Sequence, residues 1–189
     1  MKCFDDLVAV VEKLRGPDGC PWDKEQTFKS LIPYIIEEAY EVIAAIEEQD
    51  MSHLKEELGD MLLHVVMMSG MAKEQGSFQV EDVIQMISEK MIRRHPHVFG
   101  DKKVNSVDEV WENWDAIKKS EGSTSLLGSI PKQLPALMYA QKVQKKVSKS
   151  GFDWKESTGA LDKVVEEFGE LKEELSRENQ EIEKIESEF

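Results

Sequence analysis

Two short acidic clusters are the residues of this chain best suited to metal chemistry. Glu37, Glu38 and Glu41 lie in the segment IIEEAYEVI, and Glu57 and Asp60 follow in KEELGDMLL, sixteen residues further on. A helix turns by about 100° per residue, so carboxylates three or four positions apart share one face. A short turn between two helices would bring both faces together, and crowded carboxylates repel one another unless a cation binds. Mg²⁺ prefers oxygen ligands and keeps room for phosphates, so the pattern predicts metal-assisted phosphate chemistry.

A solvated acidic surface is the alternative explanation of the same residues. The chain has 38 acidic residues among 189, so such spacings also occur by chance on exposed helices. Both clusters border apolar positions at helical spacing, which is typical of partly buried faces. These flanking residues are Ile35, Ile36, Ala39, Val42, Ile43 and Ile46, then Leu58, Met61, Leu62, Val65 and Val66. Periodicity alone leaves both explanations open.

Two further sequence blocks accompany the acidic clusters. GCPWDKEQT at 19–27 precedes them, and RRHPHVFGD at 93–101 follows them. In this order the blocks resemble the MazG family of nucleoside triphosphate pyrophosphohydrolases, in the all-α NTP-pyrophosphatase superfamily, from about Leu14 to the C-terminus. The resemblance implies a helical, usually homodimeric protein that uses Mg²⁺, with Mn²⁺ as a substitute. It also implies cleavage of nucleoside triphosphates between the α and β phosphates, giving NMP and pyrophosphate.

The resemblance assigns roles to the acidic residues one by one. It places the Mg²⁺ ligands at Glu38, Glu41, Glu57 and Asp60. Glu37 is then the neighbour expected to orient or deprotonate the attacking water, and supporting a ligand is its alternative role.

A basic edge and a tryptophan are the expected substrate contacts. Lys90, Arg93 and Arg94 lie at helical spacing in an otherwise acidic chain, and the resemblance favours phosphate binding over salt bridges at a helix end. Trp111 is the expected base-stacking residue, with core or interface packing as the alternative. His64, one turn beyond Asp60, either supports the metal site or packs in the core.

Composition narrows the class of protein. The net charge of −14 argues against binding to nucleic acid or an anionic membrane, because both require a basic surface. The only cysteines, Cys3 and Cys20, are expected to be free thiols in a reducing compartment. The N-terminus does not read as a signal peptide, and the longest apolar stretch, 61–72, is too short for a membrane span. We therefore expect a cytoplasmic protein.

A change of composition predicts two domains. Residues 121–135 are rich in Gly, Ser and Pro and read as a linker between an N-terminal domain at 1–120 and a second region at 136–189. The pattern EEFGE at 166–170 repeats EEAYE at 37–41 about 129 residues further on. The last residues offer Glu188 as a counterpart of Glu57 but none of Asp60, so we expect an incomplete second repeat.

Strand signals are almost absent, and the predicted fold is an all-α helical bundle of the all-α NTP-pyrophosphatase type. The predicted activity is Mg²⁺-dependent pyrophosphohydrolysis of nucleoside triphosphates. A catalytically silent dimerisation or scaffold domain is the main alternative, because two-domain relatives can divide labour between repeats. A related hydrolase acting on dUTP, dCTP or phosphoribosyl-ATP is a third.

Overall fold

The computed structural model describes residues 2–122, 127–154 and 156–176, and helices make up most of this part of the chain. The helices are α1 Lys2–Arg15, α2 Pro21–Glu25, α3 Ile32–Glu47, α4 Met51–Glu74, α5 Val80–Arg94, α6 Pro96–Phe99, α7 Val107–Ser120, α8 Ala136–Ser148 and α9 Ser157–Ser176. No strand occurs among the described residues, so the predicted all-α class is confirmed. None of the described helices is both long and apolar enough to cross a membrane.

A tight turn joins the two helices that carry the acidic clusters. α3 ends at Glu47, and Gln49 adopts a left-handed conformation with φ 58°, which lets the amide of Asp50 donate to the carbonyl of Ala45. The Oδ1 atom of Asp50 then accepts hydrogen bonds from the amides of Ser52 (2.9 Å) and His53 (3.0 Å). This N-cap starts α4 at once, so α3 and α4 pack as an antiparallel pair.

The hydrophobic core around α4 lies between α1, the start of α3, α4 itself and the start of α5. Its buried side chains are Val11, Leu31, Val66, Met67, Met71 and Val80, with Phe4, Leu7, Val8, Ile35, Leu63 and Met68 packed against them. Two ion pairs tie α1 to the end of α4: Arg15 donates to both carboxylate oxygens of Glu74 at 2.8 Å, and Lys73 donates to Glu12 at 2.8 Å. The position of α4 is therefore fixed at both ends.

The other helix ends carry residues that typically stop or cap a helix. Gly76 adopts φ 66° just after α4, and α5 ends at Arg94, ahead of the proline that opens α6. Ahead of α7, the hydroxyl of Ser106 accepts from the amide of Glu109 at 3.2 Å. The Glu109 carboxylate in turn accepts a hydrogen bond from the amide of Asn105, one residue earlier than the Ser106 amide that donates in a standard capping box.

Residue contacts separate the chain into two compact units, Met1–Val110 and Trp111–Phe189. The division falls inside α7, ahead of the predicted linker at 121–135, of which 123–126 lie outside the described residues. Within the second unit, α9 exposes its large apolar side chains, among them Leu161, Val164 and Phe168. The residues at 185–189, on which the expectation of an incomplete repeat rests, also lie outside the described residues.

Gly59, inside α4, is not required by the packing of the described residues. A Cβ atom built at this position meets nothing within 4 Å. Because glycine costs roughly 0.5 to 1 kcal/mol relative to alanine in a helix, we expect Gly59→Ala to raise the free energy of unfolding by about that amount. Urea unfolding followed by circular dichroism measures it. Destabilisation of the variant would show that another surface approaches α4 at Gly59.

Candidate metal centre

Three carboxylates from α3 and α4 converge on one small volume. Oxygen atoms of Glu38, Glu41 and Glu57 all lie within 4.8 Å of one another. Glu38 and Glu41 are almost one turn apart on α3, so their side chains leave the same face of the helix. Glu57 comes from α4 and is only 6% exposed, so bulk water hardly solvates its carboxylate. A set of carboxylate oxygens at this spacing suits a hard divalent cation.

The crowding of negative charge shows most clearly at Glu38. Burial, the hydrogen bond shared with Glu57, and the nearby charges of Asp60 and Glu41 raise the pKa of Glu38 to about 7, from an ordinary value of 4.5. Near neutral pH the site therefore takes up a proton when no cation balances the carboxylates. A divalent ion would replace that proton.

The two remaining predicted acids lie around this group. Asp60 is half-buried on α4 and falls outside the 4.8 Å group, although it is close enough for its charge to raise the pKa of Glu38. Glu37 is exposed on α3, and it too falls outside the three-carboxylate group. The assignment of Asp60 to the metal and of Glu37 to water activation stays a prediction.

Two histidines contact the carboxylates from α4. The Nε2 atom of His53 lies 3.0 Å from Oε1 of Glu57, four residues further along the helix. The Nε2 atom of His64 lies 3.7 Å from Oε1 of Glu38. Sequence reasoning does not single out His53, although its spacing from Glu57 is visible in the sequence. His64 lies beside the site, as one of its two expected roles requires.

The predicted substrate residues are on other helices. Lys90, Arg93 and Arg94 occupy the last turns of α5, with Lys90 and Arg94 half-buried and Arg93 exposed. Trp111 is 54% exposed and belongs to the second unit, where the Lys149 ammonium lies 5.0 Å from the centre of its ring. That lysine covers part of the ring at which a base was expected to stack. The roles of these four residues remain predictions.

The acidic pattern of α9 has different surroundings. Lys163 lies 2.8 Å from Glu166 and 2.9 Å from Glu167, which are the counterparts of Glu37 and Glu38 in the repeat. This lysine neutralises charge locally on the surface of one helix. Among the described residues, only the group on α3 and α4 brings three potential metal ligands together.

Comparison with known proteins agrees with the geometry. Residues 26–99, which include both acidic clusters and α5, match the model of the MazG nucleotide pyrophosphohydrolase domain. The chain is 46% identical over 176 residues to an Escherichia coli protein named nucleoside triphosphate pyrophosphohydrolase, covering 90% of this chain and 67% of that protein. The chain belongs to the MazG family.

Further MazG relatives support this result. A Thermotoga maritima protein named nucleoside triphosphate pyrophosphohydrolase/pyrophosphatase MazG is 49% identical over 170 residues, covering 90% of this chain and 66% of that protein. The crystal structure of a MazG-related protein from Thermotoga maritima matches 61% of this chain and 98% of its own, with a TM-score of 0.52 and 30% identity. This chain spans about two thirds of the length of the Escherichia coli and Thermotoga maritima relatives.

The raised pKa of Glu38 predicts an unusual dependence of stability on pH. Between about pH 4.5 and 7 the folded chain binds more protons than the unfolded chain, so metal-free stability falls as pH rises. Asp50 and Glu74 do not mask this fall in stability. Backbone amides donate to Asp50 and Arg15 donates to Glu74, and these hydrogen bonds lower the pKa values of both carboxyl groups. The stability that these two groups provide is lost only at more acidic pH.

We expect the thermal midpoint in a chelating buffer to fall between about pH 5.5 and 7.5 more steeply for the parent than for Glu38→Gln. Differential scanning calorimetry measures both slopes. Glu167→Gln is the matched control, since it removes the corresponding acid of the repeat and should keep the parent slope. Equal slopes for the parent and Glu38→Gln would contradict the assignment.

Proposed function

We propose that this chain is a Mg²⁺-dependent nucleoside triphosphate pyrophosphohydrolase that cleaves between the α and β phosphates. The observation that carries the proposal is the convergence of Glu38, Glu41 and Glu57, with a pKa of about 7 at Glu38. The names of the MazG relatives support the reaction, and the all-oxygen donor set supports Mg²⁺, with Mn²⁺ as its substitute.

The acidic residues divide the work in this proposal. Glu38, Glu41, Glu57 and Asp60 hold the cation, which when bound supplies charge neutralisation and Lewis acidity toward the phosphates. Glu37 lies next to the ligands on α3, outside the converged group, and its carboxylate would orient the attacking water and accept its proton. Hydrolysis of this kind depends mostly on positioning and charge stabilisation, which a rigid helix pair provides.

The basic end of α5 completes the proposal on the substrate side. Lys90, Arg93 and Arg94 would bind the triphosphate, since guanidinium groups pair with phosphate oxygens through two hydrogen bonds at once. Trp111 would stack on the base of the nucleotide.

Removal of one ligand should abolish the activity without unfolding the chain. We expect the parent to release pyrophosphate from ATP, dTTP or dUTP only with Mg²⁺ or Mn²⁺. We expect Glu38→Gln to lower kcat/KM by about 100-fold or more, because it removes a ligand charge. Glu167→Gln, the matched control on α9, should keep parent activity, and circular dichroism should show unchanged helix content in both variants.

The same assay separates the alternatives. A parent chain that binds Mn²⁺ and releases no pyrophosphate from any of the three nucleotides would favour the silent scaffold. Hydrolysis of dUTP alone would favour a related hydrolase of narrower specificity. Parent activity in Glu38→Gln would refute the proposed metal site.

We infer that the first unit forms a homodimer through α3 and α4. Ile36, Tyr40 and Ile43 are 48–61% exposed and share one face of α3, because they recur every three or four residues. A second such face runs along α4, where Leu58, Leu62 and Val65 are 39–51% exposed. Apolar stripes of this length are typical of subunit interfaces, and a second copy would cover them symmetrically.

A charge placed on this surface should separate the subunits. We expect the parent to elute as a dimer in size-exclusion chromatography with light scattering, and Ile36→Glu to elute as a monomer, because an unpaired buried carboxylate is unfavourable at an interface. Val164→Glu changes an apolar residue on α9 that is 64% exposed, against 53% for Ile36, and serves as the control. A monomeric Val164→Glu with a dimeric Ile36→Glu would move the interface to α9.

A further inference from the structure

Three aromatic rings from three helices form a row that leads to Glu38, one of the three converged carboxylates. Trp22 of α2 meets Tyr34 of α3 edge to face, with ring centres 6.0 Å apart and planes at 75°. Tyr34 stacks on His64 of α4, with centres 6.4 Å apart and planes at 21°. The row ends at Glu38, 3.7 Å from the imidazole. Because Tyr34 and Glu38 are one turn apart on α3, His64 contacts two side chains of the same helix face.

The surroundings of His64 define which nitrogen carries its proton. Its side chain is 14% exposed, and its Nδ1 atom is buried with no hydrogen-bond partner among the described residues. A proton on Nδ1 would bury an unsatisfied donor and turn the Nε2 lone pair toward the carboxylate of Glu38. A proton on Nε2 instead points an N–H group at that carboxylate. Electrostatics therefore favours the Nε2–H tautomer.

We propose that His64 is a positioning residue: its Nε2–H group holds Glu38 in the orientation that binds the divalent cation, and the stack of Tyr34 and Trp22 holds His64. The proposal rests on the proposed function only in requiring that the carboxylates bind such a cation. It differs from a direct catalytic role because His64 acts through Glu38.

The physical reason is the freedom of an unsupported glutamate. The Glu38 side chain has three rotatable bonds. The neighbouring carboxylates repel its carboxylate from the position in which it would bind the cation. An N–H group directed at one carboxylate oxygen from 3.7 Å offsets this repulsion electrostatically and leaves the other oxygen available to the ion. Partners of this kind typically change metal affinity by about 10- to 100-fold when they are removed.

Titration of the full chain with Mn²⁺, followed by electron paramagnetic resonance of the free ion, tests the proposal. We expect His64→Leu, which keeps volume and removes the donor, to raise the Mn²⁺ Kd by about 10- to 100-fold. His64→Gln places an amide N–H near the position of Nε2 and should remain within about threefold of the parent. Activity assays should show a raised Mg²⁺ requirement for His64→Leu, with kcat at saturating Mg²⁺ close to the parent value.

A matched pair at Tyr34 tests the supporting stack. Tyr34→Phe keeps the ring beside His64 and should bind Mn²⁺ like the parent, whereas Tyr34→Leu removes the ring and should weaken binding by about threefold or more.

If His64→Leu melts too low for the titration, His64→Phe takes its place with the same expected weakening, since it keeps an aromatic ring beside Tyr34 and lacks the donor.

The outcomes separate the two proposals. Mn²⁺ uptake by the parent with a Kd unchanged within twofold in His64→Leu would overturn the role of His64 and leave the metal site standing. Equal loss in His64→Leu and His64→Gln would also overturn it, because packing rather than the donor would then matter. A parent chain that takes up no Mn²⁺ would overturn the metal site and the role of His64 together.

Discussion

Repulsion between carboxylates on α3 and α4 is the interaction around which the first unit is organised. Glu57 is almost fully buried, and Glu38 and Glu41 face it from the neighbouring helix. In a flexible chain such groups would move apart into water, so the surrounding structure must hold them together. The proton taken up at Glu38 is one way to lower the repulsion, and a divalent ion is a stronger one.

Different faces of α4 contribute to the core and to the acidic cluster, and the core contacts oppose the repulsion. On α4, Val66, Met67 and Met71 enter the core, whereas Glu57 and Asp60 lie on the side toward the acidic cluster. The three-residue turn capped by Asp50 fixes the register of α3 against α4, and the ion pairs from α1 hold the far end. Apolar burial and capping thus stabilise this pair of helices, whereas the repulsion between their facing carboxylates destabilises it.

Much of this arrangement was predictable because local rules govern it. Apolar periodicity predicts α3 and α4, Asp50 has the short side chain of an N-cap, and helical spacing predicts that Glu38 and Glu41 share a face. Contacts between distant residues were not predictable in this way. The stacking of Tyr34 on His64 depends on the relative rotation of two helices, and the approach of Lys149 to Trp111 depends on the fold of the second unit. The sequence also does not show how much space surrounds Gly59, because that space depends on what packs against α4.

Lys163, beside the repeated acidic pattern of α9, shows how one side chain changes the electrostatic surroundings of a sequence motif. Lys163 lies one turn before Glu166 and Glu167 and gives this pair a counterion from the same helix. The corresponding Glu38 on α3 faces the acidic helix α4, and in the part of the chain that the structure describes no lysine or arginine pairs with it. A duplicated segment could therefore lose an ion requirement by acquiring a single basic residue one turn upstream, while its recognisable glutamates stay in place.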